Sequence, residues 1–83
     1  MSVHEECGVF GVMSTKKENV AEIAYYGLYA LQHRGQESCG IVVNDDGVFS
    51  SYKELGLISE VFSKDTLSSL SEGTMAVGHV RYG

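Results

Sequence analysis

The residues that most directly suggest a chemistry lie near the start of the chain, in the run Cys7-Gly8-Val9-Phe10-Gly11. One peptide cleavage after Glu6 would make Cys7 the first residue, and its backbone nitrogen would become a free amine beside the sulfur. Nucleophile and general base would then belong to a single residue, which is the N-terminal version of an activated nucleophile. The alternative is a cysteine that packs in a buried strand, a common role for a free cysteine.

Two arginines and two histidines are the other polar candidates. Arg34 and Gly35 follow a helical pattern, where a cation favours the C-terminal dipole and a glycine ends the helix. Arg81 lies in a strand pattern, which by itself favours a solvated surface residue. His33 and His79 are candidate bases, but a free α-amine would make such a base unnecessary. We therefore expect structural roles for both histidines.

The length, composition and charge of the chain limit the kinds of partner that it could bind. The chain has 83 residues, of which 43% are hydrophobic, and a net charge of −5. This is at most one small globular domain, with no basic footprint for nucleic acid or an acidic membrane surface. No apolar run is long enough to cross a bilayer, so we expect neither a nucleic-acid nor a membrane partner. The first six residues lack the basic and apolar regions of a secretory signal, which favours a cytoplasmic location.

The two cysteines allow a further alternative. Reduced thiols are expected in a cytoplasm, and Cys7 and Cys39 do not combine with the histidines at the spacing of a metal site, so no metal ligands are predicted. In Glu37-Ser38-Cys39-Gly40 we interpret Cys39 as a small core residue. A redox protein that uses Cys7 and Cys39 remains a third, weaker hypothesis.

Hydrophobic periodicity predicts alternating strands and helices. Asn19 followed by Glu22 is typical of a helix start, and Asn44-Asp45-Asp46-Gly47 is typical of a hairpin turn. The predicted buried stripe of the long helix consists of Val20, Ile23, Ala24, Gly27, Leu28 and Leu31. The predicted strands cover 7–13, 38–43, 48–53 and 74–82, and a polar connection covers 14–18. The predicted helical segments are a helix from 20 to about 33 ended by Gly35, a helical turn over 57–62, and a helix capped by Asp65 that runs through Ser71 and is ended by Gly73.

This order favours an α+β domain with a largely antiparallel sheet. A strand that stops at Gly83 would leave an unpaired edge and an incomplete core, so we interpret the chain as the N-terminal piece of a larger protein. An alternative of another class is a catalytically silent, truncated fragment that self-associates through open strand edges.

Five motifs in order resemble one known family. They are Cys7-Gly8-Val9-Phe10-Gly11, Tyr25-Tyr26-Gly27-Leu28, Leu31-Gln32-His33-Arg34-Gly35-Gln36-Glu37-Ser38, Gly56-Leu57-Ile58-Ser59-Glu60-Val61-Phe62 and Gly78-His79-Val80-Arg81-Tyr82. Together they resemble the start of the amidophosphoribosyltransferases, class II glutamine amidotransferases of the first step of de novo purine synthesis. The run from Gln32 to Glu37 differs from the corresponding strings of the glucosamine-phosphate synthases and the asparagine synthetases.

The resemblance implies a fold and a domain organisation. The fold would be of the N-terminal nucleophile hydrolase type, with antiparallel sheets sandwiched between helices and only its N-terminal part present here. Residues 1–6 would be a propeptide and residues 7–83 the first part of the glutaminase domain. The rest of that domain and a phosphoribosyltransferase domain would be absent, so we expect the 83-residue chain alone to be inactive.

The resemblance also implies site residues and ligands. Cys7 would be the catalytic nucleophile, Arg81 would bind the α-carboxylate of glutamine, and Arg34 and Gly35 would shape the loop beside the nucleophile. Ammonia from glutamine would convert phosphoribosyl pyrophosphate to phosphoribosylamine in the missing domain. No cofactor is expected within this chain. Mg²⁺, and the iron–sulfur cluster that relatives with a propeptide often carry, would lie in the missing part, and a full-length protein is expected to be a homo-oligomer.

Overall fold

The computed structural model describes residues 7–31, 36–70 and 72–82, and the element bounds below refer to these ranges. Four strands and three helices follow one another along the chain. In order they are β1 Cys7–Glu18, α1 Val20–Leu31, β2 Gln36–Asp45, β3 Val48–Leu55, α2 Ile58–Val61, α3 Lys64–Ser69 and β4 Gly73–Tyr82.

Strand β1 is longer than predicted. The segment 14–18, interpreted as a polar connection, continues the strand to Glu18, which pairs with Gly73 after an irregularity in the register. The polar side chains are tolerated because β1 lies at an edge of the sheet, where one side of the strand meets solvent. Near its end Lys17 forms an ion pair with Asp45 of β2, at 2.9 Å from Nζ to Oδ2.

Helix α1 begins where the sequence predicts. The Asn19 side chain accepts a hydrogen bond from the backbone N–H of Glu22 at 3.2 Å, which satisfies one of the free donors of the first turn. The buried stripe differs in one respect, because Ala21 is fully buried whereas Ile23 is 41% exposed. The predicted end near His33 and the Gly35 cap lie outside the described residues.

The β2–β3 hairpin is confirmed. Its two turn residues, Asp46 and Gly47, both have positive φ, 52° and 88°, as a type I′ turn requires. The Asn44 side chain accepts a hydrogen bond from the Gly47 N–H at 2.8 Å and holds the turn closed. Both strands extend two residues beyond the predicted ends.

The short helices correct two predictions. Helix α3 begins two residues earlier than expected, because Ser63 and not Asp65 is its N-cap and accepts from the Thr66 N–H at 3.2 Å. A serine hydroxyl and an aspartate can serve equally as caps, so sequence preference alone does not choose between them. Gly73 does not end this helix; it opens β4.

All pairings in the four-stranded sheet are antiparallel, and the strand order is β1-β4-β2-β3. The last strand, β4, therefore lies inside the sheet between β1 and β2. The prediction that a strand ending at Gly83 would be an unpaired edge is wrong for β4, since the edges of the described sheet are β1 and β3. The α+β class with an antiparallel sheet is confirmed.

The two faces of the sheet have different environments. One face packs against α1 and α2 and holds the core, whose buried members include Leu28, Ile41, Ile58, Val80 and Cys39. On the other face, which we call the open face, β4 places Met75, Val77, His79 and Arg81, none of which is buried. The predicted alternation of β4, with Met75, Val77 and His79 opposite Ala76, Gly78 and Val80, is confirmed by burial.

Candidate functional site

The sheet register brings three site positions into one row. Cys7 is the register partner of Arg81 in the β1–β4 ladder, and Arg81 is the partner of Ser38 in the β4–β2 ladder. Directly opposed residues of an antiparallel pair have Cα atoms about 4.5–5.5 Å apart. The predicted nucleophile and the predicted carboxylate ligand are 74 positions apart in sequence. They thus lie directly opposite each other on two adjacent strands.

A cavity of about 410 Å³ lies at this end of the open face. Arg81 and Ser38 line it from the row just described, together with Leu55, the register partner of Ser38 on β3. His79 and Lys53 line it from the adjacent row. Its size is that of a small-molecule site, and a few polar groups converge on it. Lining residues are Ser38, Lys53, Glu54, Leu55, His79 and Arg81.

Gly40 lies between two residues of the cavity lining in the register of the sheet. Gly40 pairs with His79 on one side and with Lys53 on the other. A Cβ atom placed on Gly40 would come within 2.6 Å of Nε2 of His79, closer than real Cβ contacts. The imidazole therefore lies directly over the glycine, and only a residue without a side chain permits this position.

The cavity lining carries charge of both signs, because Arg81 and Lys53 are cationic and Glu54 is anionic. Neither Arg81 nor Lys53 forms an ion pair with another described residue. A guanidinium without such a partner can bind a carboxylate through two parallel hydrogen bonds. The arrangement is therefore suited to the carboxylate end of a small molecule.

The remaining predicted site residues are placed differently. Arg34 and Gly35 lie outside the described residues, as do His33 and the segment 1–6. Cys39 is fully buried on the helix-covered face, and its thiol is free, which contradicts a disulfide with Cys7. Burial raises the pKa of the Cys39 thiol to about 11. The interpretation of Cys39 as a small core residue is confirmed.

Within 7–31, 36–70 and 72–82, no three His, Cys, Asp or Glu side chains are grouped so that they could hold a metal ion. Among the same residues, no helix has the length and apolar character needed to cross a membrane.

Comparisons with known proteins agree with one another. The amidophosphoribosyltransferase of Mycobacterium tuberculosis (strain ATCC 25618 / H37Rv) is 54% identical over 81 residues, which is 98% of this chain and 15% of that protein. The enzyme of the same name from Bacillus subtilis (strain 168) is 50% identical over 80 residues, 96% of this chain and 16% of that protein. The chain is homologous to amidophosphoribosyltransferase. No protein-family model matches it.

Solved structures show the same relationship in three dimensions. A structure described as the allosteric regulatory enzyme of purine biosynthesis matches with a TM-score of 0.79 and 48% sequence identity. The match covers 90% of this chain and 16% of the chain in that structure. The glutamine phosphoribosylpyrophosphate amidotransferase of B. subtilis, complexed with ADP and GMP, has a TM-score of 0.69 and 44% identity over 93% of this chain and 16% of its own. The predicted resemblance and fold class are confirmed, and the chain spans about 15% of the length of the curated relatives it matches.

Sequence reasoning missed part of the cavity lining. Ser38, Lys53 and Leu55 were not predicted to line a cavity, and His79 was expected to be structural. A usable signal existed in the hairpin, because its turn fixes the β2–β3 register and so places Leu55 opposite Ser38 and Lys53 opposite Gly40. The pairing of β2 with β4 had no comparable local signal.

Proposed function

We propose that this chain is the N-terminal part of the glutaminase domain of an amidophosphoribosyltransferase. The whole protein would hydrolyse glutamine and use the ammonia to convert phosphoribosyl pyrophosphate to phosphoribosylamine, the first step of de novo purine synthesis. The observation that supports this most strongly is the register pairing of Cys7 with Arg81, a residue that lines the cavity and forms no ion pair with another described residue. The homology over nearly the whole chain supports it independently.

Cys7 is the nucleophile in this proposal. After removal of residues 1–6, its α-amine takes the thiol proton and the sulfur attacks the side-chain amide carbon of glutamine. The resulting tetrahedral intermediate collapses with cleavage of the C–N bond, and the proton leaves with ammonia. Water then hydrolyses the glutamyl thioester to glutamate and regenerates the thiol.

Arg81 holds the other end of the substrate. Its guanidinium binds the α-carboxylate of glutamine, which lies several bonds from the reacting amide and does not change its charge during the reaction. An interaction of this kind contributes equally to the ground state and the transition state, so it sets affinity and not the rate of the chemical step. Arg34 and Gly35 are proposed to shape the loop next to Cys7.

The proposal includes parts that the 83 residues do not contain. Residues 1–6 are a propeptide, residues 7–83 begin the glutaminase domain, and the remainder of that domain and the phosphoribosyltransferase domain follow. Mg²⁺, and an iron–sulfur cluster where present, are assigned to that remainder. The full-length protein is proposed to be a cytoplasmic homo-oligomer, and the isolated chain is proposed to be inactive.

The test is an assay of the full-length protein with each nitrogen donor. With phosphoribosyl pyrophosphate present, glutamine should give glutamate and phosphoribosylamine in equal amounts, and ammonia should replace glutamine. Failure to consume phosphoribosyl pyrophosphate with either donor would overturn the proposal. Consumption with ammonia alone would leave the transferase assignment intact and remove the glutaminase assignment.

A further inference from the structure

His79 has a position that the proposed chemistry does not yet use. It pairs with Val9 of β1 on one side and with Gly40 of β2 on the other, one row from the Cys7–Arg81–Ser38 row. Its side chain is partly exposed and lines the cavity together with Arg81. No other described residue hydrogen-bonds to its imidazole.

Gly40 determines where the imidazole lies. Because a Cβ on Gly40 would approach Nε2 of His79 to 2.6 Å, Nε2 occupies the space above the glycine. Residues two apart on a strand point to the same face about 6.6–6.8 Å apart, so His79 and Arg81 face the cavity as neighbours. Lys53 lines the same cavity from the opposite side of Gly40.

We propose that His79, held over Gly40, is a substrate-binding residue that donates a hydrogen bond from Nε2 to the carboxylate bound by Arg81. This inference rests on the proposed glutaminase function and adds a second ligand to its substrate site. The proposed bond uses the one N–H donor of a neutral imidazole, in the tautomer with the proton on Nε2. Arg81 forms no ion pair with another described residue, so an anionic group is a favoured neighbour of this donor.

The first experiment measures KM for glutamine in variants of the full-length protein. A hydrogen bond to a charged group is removed in His79→Ala, so KM should rise about tenfold or more. His79→Gln places an amide N–H close to the former Nε2 position and should keep KM within about threefold of wild type. A rise in KM below twofold in His79→Ala would overturn the inference.

A double-mutant cycle tests the role of Gly40. Gly40→Ala should displace the imidazole and raise KM about as much as His79→Ala does. In protein that already carries His79→Ala, adding Gly40→Ala should raise KM by less than about twofold, because the two changes remove one interaction. Gly11→Ala is the matched control, since Gly11 lies in β1 of the same sheet with no atom within 4 Å of an added Cβ. Its KM should equal that of wild type. Equal effects of Gly40→Ala in both backgrounds would overturn the proposed link.

A direct measurement covers the case in which a variant does not fold. In Cys7→Ala protein with intact His79 and ¹⁵N-labelled histidine, saturating glutamine should shift the Nε2 resonance. An unchanged resonance would overturn the inference. The inference alone fails if wild-type protein hydrolyses glutamine and Arg81→Lys raises KM, but KM does not change in His79→Ala and the Nε2 resonance does not shift. If wild type does not hydrolyse glutamine, the proposed function fails with it.

Discussion

Cys7 and Arg81 are direct register partners in the antiparallel ladder between the first and last strands of the described sheet. The pairing joins residues near the two ends of the described chain, and Arg81 lines the cavity on the open face. A nucleophile and a carboxylate ligand at this spacing would address the two ends of one small substrate.

Maturation should remove the first six residues. Only Cys7 as residue one supplies the α-amine, because with Met1–Glu6 attached its nitrogen is an amide and cannot act as a base. Intact-mass analysis of active full-length protein should therefore give a chain that begins at Cys7. Full glutamine-dependent activity in a preparation that retains Met1–Glu6 would contradict this.

Cys7→Ala should separate the two activities. Loss of the sulfur removes covalent catalysis, so glutamine-dependent amination should fall to background in the full-length protein. Ammonia-dependent activity should persist, because ammonia enters at the separate transferase site. Parallel assays with the two donors measure this, and Cys39→Ala, which changes a buried thiol on the other face, is the control. Equal loss of both activities in Cys7→Ala would assign it a structural role.

Arg81→Lys should weaken glutamine binding. Lysine keeps the charge but loses the planar pair of donors, and loss of such a charge-assisted contact costs about 1.5–3 kcal/mol, or one to two decades in affinity. The effect should fall on KM for glutamine and leave ammonia-dependent turnover nearly unchanged. If KM stays within about twofold of wild type, Arg81 is only a surface residue of the strand.

The Cys39 thiol should react slowly with alkylating agents in the folded protein. Burial raises its pKa from 9.0 to about 11, so at pH 8 only about one thiol in a thousand is ionised. The pKa of this thiol is higher in the folded than in the unfolded state. The contribution of the protonated thiol to the free energy of unfolding is therefore fully present below pH 9.0 and is lost as pH rises through about 11. Mass spectrometry after timed iodoacetamide treatment measures it. Modification of Cys39 as fast in native as in urea-unfolded protein would show that the thiol is accessible.

Gly27→Ala should destabilise the protein although alanine is the better helix former. A Cβ on Gly27 would collide with the ring of Phe10 in β1, and overpacking of this kind typically costs about 1–3 kcal/mol. The gain from replacing a helical glycine is smaller, about 0.5–1 kcal/mol. Thermal unfolding of the full-length protein measures the difference. Gly11→Ala, which meets no atom, should leave Tm unchanged or raise it, and a higher Tm in Gly27→Ala would disprove the close contact.

Local sequence information was sufficient for the elements and for the homology. The Asn44–Gly47 turn, the Asn19 cap and the alternation of β4 each depend on interactions within a few residues, and all three are confirmed. The resemblance to the amidophosphoribosyltransferases likewise follows from motifs read in order along the chain. Where local signals were equivalent, as between Ser63 and Asp65 for the α3 cap, the sequence did not decide the outcome.

Only the tertiary structure decided which strands are neighbours. Nothing in the residues near Gly83 shows that β4 inserts between β1 and β2, because the pairing energy comes from strands far away in sequence and from core residues packed beneath them. That insertion sets Arg81 opposite Cys7, brings Ser38 and Lys53 to the same cavity, and lays His79 over Gly40. The sequence alone thus determined the candidate nucleophile and the family, whereas the site around Arg81 exists only because the long-range register places each side chain on one face.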